Sequence, residues 1–354
     1  MVLSSILVNE MKKTAVTILS LALAMAVMPS ASAQFKLGRE MLSGGGQKNV
    51  FASAKISYQQ WTDAKRARTL PVKIYLPSDA VAAKAPYPVV IFSHGLGGSV
   101  EAAPYLAEAW TKAGYFCLFV QHPGSDSEVW RPALMQGKNA MIGRLKGAAN
   151  GENLIERVGD IKFIIDELTR RNQSEGELKG QLDLTKIAMS GHSFGAGTTL
   201  ALAGQSYGQY GQGTSASDPR IKAAIYLCPP VNVARIVPGK TYAQIKIPGL
   251  LLTGTEDVSP IYETRAEDRR RPFDGISAPH QYLVNFKGAN HATFGGSRGF
   301  RKGGAEDDKF HLLIAKVTTE FLDAALKNDA AAWQWLDGPA VEQCLANTAY
   351  FERR

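Results

Sequence analysis

Lys186-Ile-Ala-Met-Ser-Gly-His-Ser-Phe-Gly-Ala-Gly-Thr-Thr-Leu-Ala-Leu-Ala-Gly204 runs from an apolar strand pattern, through Gly191-His192-Ser193-Phe194-Gly195, directly into a helix of small residues. A serine set between strand and helix with no loop must occupy an abrupt, strained turn. A side chain at position 191 or 195 would strike the neighbouring strand or helix, so both positions are expected to need glycine. The helix start brings amides and the positive end of a dipole beside the Ser193 hydroxyl. Ser193 is therefore the candidate nucleophile.

Attack on a carbonyl carbon leaves a negative oxygen, which preset backbone N–H groups stabilise best. One donor is expected to be Phe194, directly after the serine. The other is expected from Val89-Val-Ile-Phe-Ser-His-Gly-Leu-Gly-Gly98, where Gly95 and its fellow glycines let a loop approach closely; Leu96 is the candidate, with His94 bracing the loop. The chain order serine, acid, histidine excludes His94, His122 and His192 as base, since all precede Ser193. His280 precedes a strand and His311 lies in an amphipathic helix, so both read as structural. His291, in Gly288-Ala-Asn-His291-Ala-Thr-Phe-Gly-Gly, follows the last strand and is the candidate base. Pro248-Gly-Leu-Leu-Leu-Thr-Gly-Thr-Glu256-Asp257 closes the preceding strand with two carboxylates; Asp257 is preferred and Glu256 is the alternative.

Around these segments, apolar runs alternate with amphipathic stretches from about Val72 to Leu326, the pattern of a mostly parallel central sheet with helices on both faces. Strands are predicted over Val72–Leu76, Val89–Phe92, Phe116–Val120, Ile187–Ser190, Ala223–Leu227, Gly249–Thr253 and Gln281–Phe286. Helices are predicted over Ala102–Ala113, Leu154–Leu168, Phe194–Gly204, Ile261–Arg270 and Lys309–Leu326. The polar segment 124–151 reads as an insertion, a lid or substrate wall on the edge where such a sheet opens. Residues 205–218 read as a surface loop.

At the start, Lys12 and Lys13 precede an apolar run from Ala15 to about Val27, and Ala31-Ser32-Ala33 offers small residues to a signal peptidase. A signal peptide over 1–33, cleaved after Ala33, is expected, with one domain over 34–354 and a periplasmic or secreted destination. The run falls short of the roughly 20 residues that span a bilayer, so no membrane anchor is expected to persist. The formal net charge is +8, but its charges are scattered and the densest run is Arg269 to Arg271, which argues against nucleic acid as a partner. Cys117, Cys228 and Cys344 allow one disulfide at most. Neither a His-Glu-x-x-His nor a paired-cysteine pattern occurs, so no metal or organic cofactor is expected.

Phe92-Ser-His-Gly-Leu-Gly97 with Gly191-His-Ser-Phe-Gly195 resembles the platelet-activating-factor acetylhydrolases and their bacterial relatives classed with the dienelactone hydrolases, over roughly Asp63 to Leu326. The resemblance implies an α/β-hydrolase fold and oxyanion donors at Leu96 and Phe194. It departs in the acid: the eukaryotic acetylhydrolases carry theirs after the strand following the nucleophile helix, where this chain reads Tyr226-Leu-Cys-Pro-Pro230. In this respect the chain is similar to polyester-hydrolysing cutinases, whose acid comes one strand later, at the place of Asp257. True dienelactone hydrolases use a cysteine where Ser193 stands. The implied activity is hydrolysis of a small-molecule, lipid or polymer ester through an acyl-enzyme. Acyl transfer or peptide cleavage by the same residues is the alternative. A non-catalytic binding module is a third, but such chains usually lose one member of the set.

Overall fold

Segments such as Val89-Val-Ile-Phe are apolar at every position, which suits a strand covered on both faces. In the computed structural model they are such strands. It describes residues 53–354 apart from 80, 82, 208–212, 214, 260, 262–263 and 297–304. The expected signal peptide and the first part of the expected domain, 34–52, lie outside the described residues.

The strands are β1 (Ala54–Asp63), β2 (Arg68–Pro77), β3 (Tyr87–Ser93), β4 (Phe116–Val120), β5 (Leu182–His192), β6 (Ile221–Leu227), β7 (Gly249–Glu256), β8 (Gln281–Asn290) and β9 (Ala349–Arg353). They form one sheet in the order β1-β2-β4-β3-β5-β6-β7-β8-β9. From β4 through β8 neighbours run parallel, while β1, β2 and β9 pair antiparallel at the two ends. The helices are α1 (Pro104–Lys112), α2 (Lys138–Ala148), α3 (Gly151–Gln173), α4 (Phe194–Ala203), α5 (Arg271–Gly275), α6 (His291–Gly295), α7 (Ala305–Lys327), α8 (Ala330–Asp337) and α9 (Ala340–Leu345).

Strand alternation divides the core between the two faces. Val90, Phe92, Cys117 and Phe119 pack with Leu106 and Trp110 of α1 and Ile314, Val317 and Phe321 of α7. Val89, Ile91, Phe116 and Leu118 point the other way, onto Ile161, Ile164, Ile165 and Leu168 of α3 and Leu202 of α4. Each such fully buried side chain contributes about 1.5–3 kcal/mol. Trp110 Nε1 also donates to Thr318 Oγ1 at 3.1 Å, fastening α1 to α7. Every residue of α4 is buried. Its Gly195, Ala196 and Gly197 keep the helix thin enough to lie between the sheet and Pro230.

The helix predicted over Ile261–Arg270 is not formed. Ser259 pairs with Thr264, Ala266–Arg270 is a 3-10 turn, and α-helix begins only at Arg271. Pro272, which has no N–H to bond back to Asp268, fits the first turn of that new helix and keeps the 3-10 turn from running into it. The insertion 124–151 holds two 3-10 turns, Ser127–Val129 and Arg131–Gln136, before α2. At the C-terminus, α8, α9 and β9 extend the fold beyond Leu326, and β9 continues the sheet along β8.

Candidate active site

β5 passes into α4 through the single residue Ser193, held at φ 54 and ψ −117. A non-glycine residue in this region carries strain of about 1–3 kcal/mol, stable only where the surroundings fix it. Here the Ser193 N–H donates to the Leu227 carbonyl at 2.8 Å. A Cβ on Gly195 would overlap the Ser93 carbonyl, and one on Gly191 would overlap the Gly195 carbonyl, so the two glycines are where backbone crosses backbone. Phe194 takes the first helical position, where amides point out of the helix end rather than into its ladder.

The structure brings Ser193, His291 and Asp257 into one hydrogen-bonded line. His291 Nε2 lies 2.9 Å from Ser193 Oγ, and His291 Nδ1 lies 2.6 Å from Asp257 Oδ1. Asp257 leaves the end of β7 and is fully buried; its other oxygen accepts from Thr253 Oγ1 at 2.8 Å. His291 opens α6, whose start is capped by Asn290 accepting from the Ala292 N–H. His192 Nε2 donates to the His291 carbonyl at 2.9 Å, fixing the backbone that carries the imidazole. Glu256, the alternative acid, is exposed and sits in register with Asn290.

A partner unforeseen in the sequence stands behind Asp257. Arg269, wholly buried, reaches Asp257 Oδ1 at 3.0 Å and donates to the carbonyls of Asp257, Cys228 and Pro229. Burial by itself would push the Asp257 carboxyl up. The hydrogen bond from His291, then the charges of His291 and Arg269, outweigh it and hold the carboxyl well below the usual carboxylate range. A depressed folded-state pKa contributes stability that is present above the unfolded value near 4 and lost as pH falls through the folded value. In Arg269→Met the folded-state value should move up toward the unfolded one, so the loss on acidification should be smaller and complete at higher pH. Leaving the buried carboxylate short of its cation should also cost about 3–5 kcal/mol at neutral pH. Urea unfolding from pH 3 to 8 measures both, and a shift under about 1 kcal/mol would remove Arg269 from this role.

The second arm is the loop after β3. A Cβ on Gly95 would fall 3.5 Å from Ser193 Cβ, so the segment bearing Leu96 runs directly against the Ser193 turn. His94 is buried. Its Nε2 accepts from the His122 N–H at 3.1 Å, so Nδ1 carries the proton and donates to the Gly95 carbonyl at 2.6 Å. Burial first, then the Arg157 and His122 charges, keep His94 neutral, far below its ordinary pKa. The insertion is joined to the same loop. Gly97 donates to the Ser125 carbonyl at 2.9 Å and accepts from Trp130 Nε1 at 2.8 Å, while Ser127 N–H donates to the Gly98 carbonyl at 2.9 Å.

Behind this loop the same three residue types recur. Ser93 Oγ lies 2.9 Å from His122 Nε2, and His122 Nδ1 lies 2.9 Å from Asp160 Oδ2. All three are fully buried, so no substrate reaches Ser93, and burial lowers the His122 pKa to about 4. This second line is scaffolding. His280 stacks on Trp333, and His311 donates to the Thr293 carbonyl behind α6. Donor atoms of His192, Cys228 and His291 come within 4.8 Å of one another, but both His291 nitrogens face Asp257 and Ser193. Burial keeps Cys228 a thiol, its pKa raised further by the nearby Asp257 charge. The three fit the line described above better than a metal. All three cysteines are free.

A sheet in this order, with a serine on a one-residue turn after β5, an acid after β7 and a histidine after β8, is the α/β-hydrolase fold. No family model matches the chain. The platelet-activating factor acetylhydrolase of Cavia porcellus is 24% identical over 280 residues, 70% of this chain, and the chain spans 60% of that relative's length. A ferulic acid esterase from Streptomyces cinnamoneus has a similar structure, with a TM-score of 0.54 and 17% identity over 81% of this chain and 93% of that one.

Proposed function

We propose that the protein is an exported serine hydrolase that cleaves carboxylic esters through an acyl-enzyme. The observation that carries this reading is the unbroken Asp257–His291–Ser193 line ending on a strained serine at a helix start. Similarity to an acetylhydrolase and a ferulic acid esterase, both named for ester cleavage, supports it.

His291 Nε2 takes the Ser193 proton as Oγ bonds to the ester carbonyl carbon, and the carbonyl electron pair moves onto oxygen. That oxyanion is received by the Leu96 and Phe194 amides. Collapse expels the alkoxide, protonated by His291, and leaves an acyl group on Ser193. Water, deprotonated by His291, then attacks the acyl carbon, and as that intermediate collapses the acid leaves and His291 returns the proton to Ser193 Oγ. Asp257 stays ionised throughout, holding the Nδ1–H tautomer and offsetting the imidazolium charge. The substrate is a small-molecule, lipid or polymer ester, and the segment 124–151 forms a wall of its pocket. Export follows from the signal peptide expected over 1–33, with release into the periplasm or beyond.

The test is labelling of the purified protein by a fluorophosphonate, with the adduct located by mass spectrometry, beside a chain-length series of p-nitrophenyl esters. The expected adduct is on Ser193. An adduct elsewhere, or labelling undiminished in Ser193→Ala, overturns the proposal.

A further inference from the structure

α3 buries a stripe at Arg157, Ile161, Ile164, Ile165 and Leu168, four of them aliphatic and the first a guanidinium with no exposed surface. A charge is not taken into a core without directed partners. Those of Arg157 converge on one place. Nη1 donates to the His94 carbonyl at 2.6 Å, Nε to Ser125 Oγ at 2.8 Å, and Nη2 to the Ser125 carbonyl at 3.2 Å. That Ser125 carbonyl also accepts the Gly97 N–H. Leu96 lies between His94 and Gly97, so both flanks of its amide are tied, directly or through one atom, to a single guanidinium. The guanidinium carbon of the same group lies over the Phe194 ring, 4.4 Å from its centroid. The two residues assigned as oxyanion donors come from separate segments, β3's loop and α4's start, and Arg157 is a group that touches both supports.

Resting on the proposed ester chemistry, we propose that Arg157 is the positioning residue of the oxyanion hole: it sets the spacing of the Leu96 and Phe194 amides from beneath and keeps a permanent positive charge under the developing oxyanion. Ser93, His122 and Asp160 serve this group in turn. Ser93 Oγ accepts from Arg157 Nη1 at 3.3 Å while donating to His122, which Asp160 orients. A planar fork with several fixed donors is needed to hold four acceptors at once, and lysine offers only a point charge on a flexible stem.

The experiment compares Arg157→Met, Arg157→Lys and Ser125→Ala with the unaltered protein in p-nitrophenyl ester hydrolysis and in binding of a trifluoromethyl ketone, which adds to Ser193 and places its oxygen in the hole. Arg157→Met should lower kcat about 100-fold, the scale of losing one oxyanion donor, with KM within about threefold. The ketone should bind more weakly by the same factor as the fall in kcat/KM, a correspondence a general loss of packing would not produce. Arg157→Lys should recover about tenfold of the loss. Ser125→Ala, which keeps the charge but removes one acceptor, should lower kcat about fivefold, and it decides the matter if Arg157→Met does not fold. Wild-type kcat in folded Arg157→Met, or in Ser125→Ala where Met is insoluble, overturns the proposal, as does a loss confined to KM. If the unaltered protein hydrolyses no ester, the chemistry of the site fails, and Arg157 is not the cause.

Discussion

Ser193→Ala is expected to lower kcat by roughly a millionfold, because the serine, histidine and acid act as one unit and losing the nucleophile forfeits the whole of it. The fold should survive. Alanine adopts the φ 54 of this turn at no greater strain than serine, and the only hydrogen bond described for the Ser193 hydroxyl is that to His291. Melting temperature should therefore move by no more than a few degrees while turnover collapses. On the proposed mechanism, the residual rate reports what the Leu96 and Phe194 amides achieve on a bound ester alone. A variant that keeps even a hundredth of the activity would mean another group attacks the ester.

Asp257→Asn should cost about 10⁴-fold in kcat with KM little changed. The carboxylate accepts from His291 Nδ1 and from Thr253, and the carboxamide can turn its NH2 toward the imidazole, selecting the tautomer whose Nε2 carries a proton and cannot accept one from Ser193. Stopped-flow measurement of the acylation burst isolates the step. Glu256→Gln is the matched comparison: its side chain is exposed, and activity should stay within about twofold. Equal losses from the two substitutions would contradict the assignment of Asp257 over its neighbour.

The part of the fold legible in the sequence is the part that physics makes monotonous. Strands covered on both faces must be apolar throughout, so β3, β4, β6 and β7 stand out as runs, and Gly-x-Ser-x-Gly is legible because backbone crossing at 191 and 195 tolerates no Cβ. The flanking strands escaped for the converse reason. β1 is exposed over much of one side, and β9 is short, with Glu352 and Arg353 exposed, so neither carries a run. The candidate residues that the structure brings together, Ser193, His291 and Asp257, are those with chain order to guide them. Arg269 was visible only as one of three consecutive basic residues, and nothing local separates the buried one from Arg270, which pairs at the surface with Asp274 and Glu352. Arg157 did leave a signal: a charge in phase with Ile161, Ile164 and Leu168 on a helix is out of place unless something inside receives it.

The joint between the segment 124–151 and Gly97 bears on how the proposed ester substrates would be met. A flap that swings aside at a lipid–water boundary must be hinged away from the groups it uncovers. Here Trp130 and Ser125 grip the very glycine that follows Leu96, so lifting such a flap would disturb the loop proposed to receive the oxyanion. Access must come with the segment in place. Hydrolysis rates should then rise smoothly with dissolved monomer and show no upward break as the ester crosses its micelle-forming concentration.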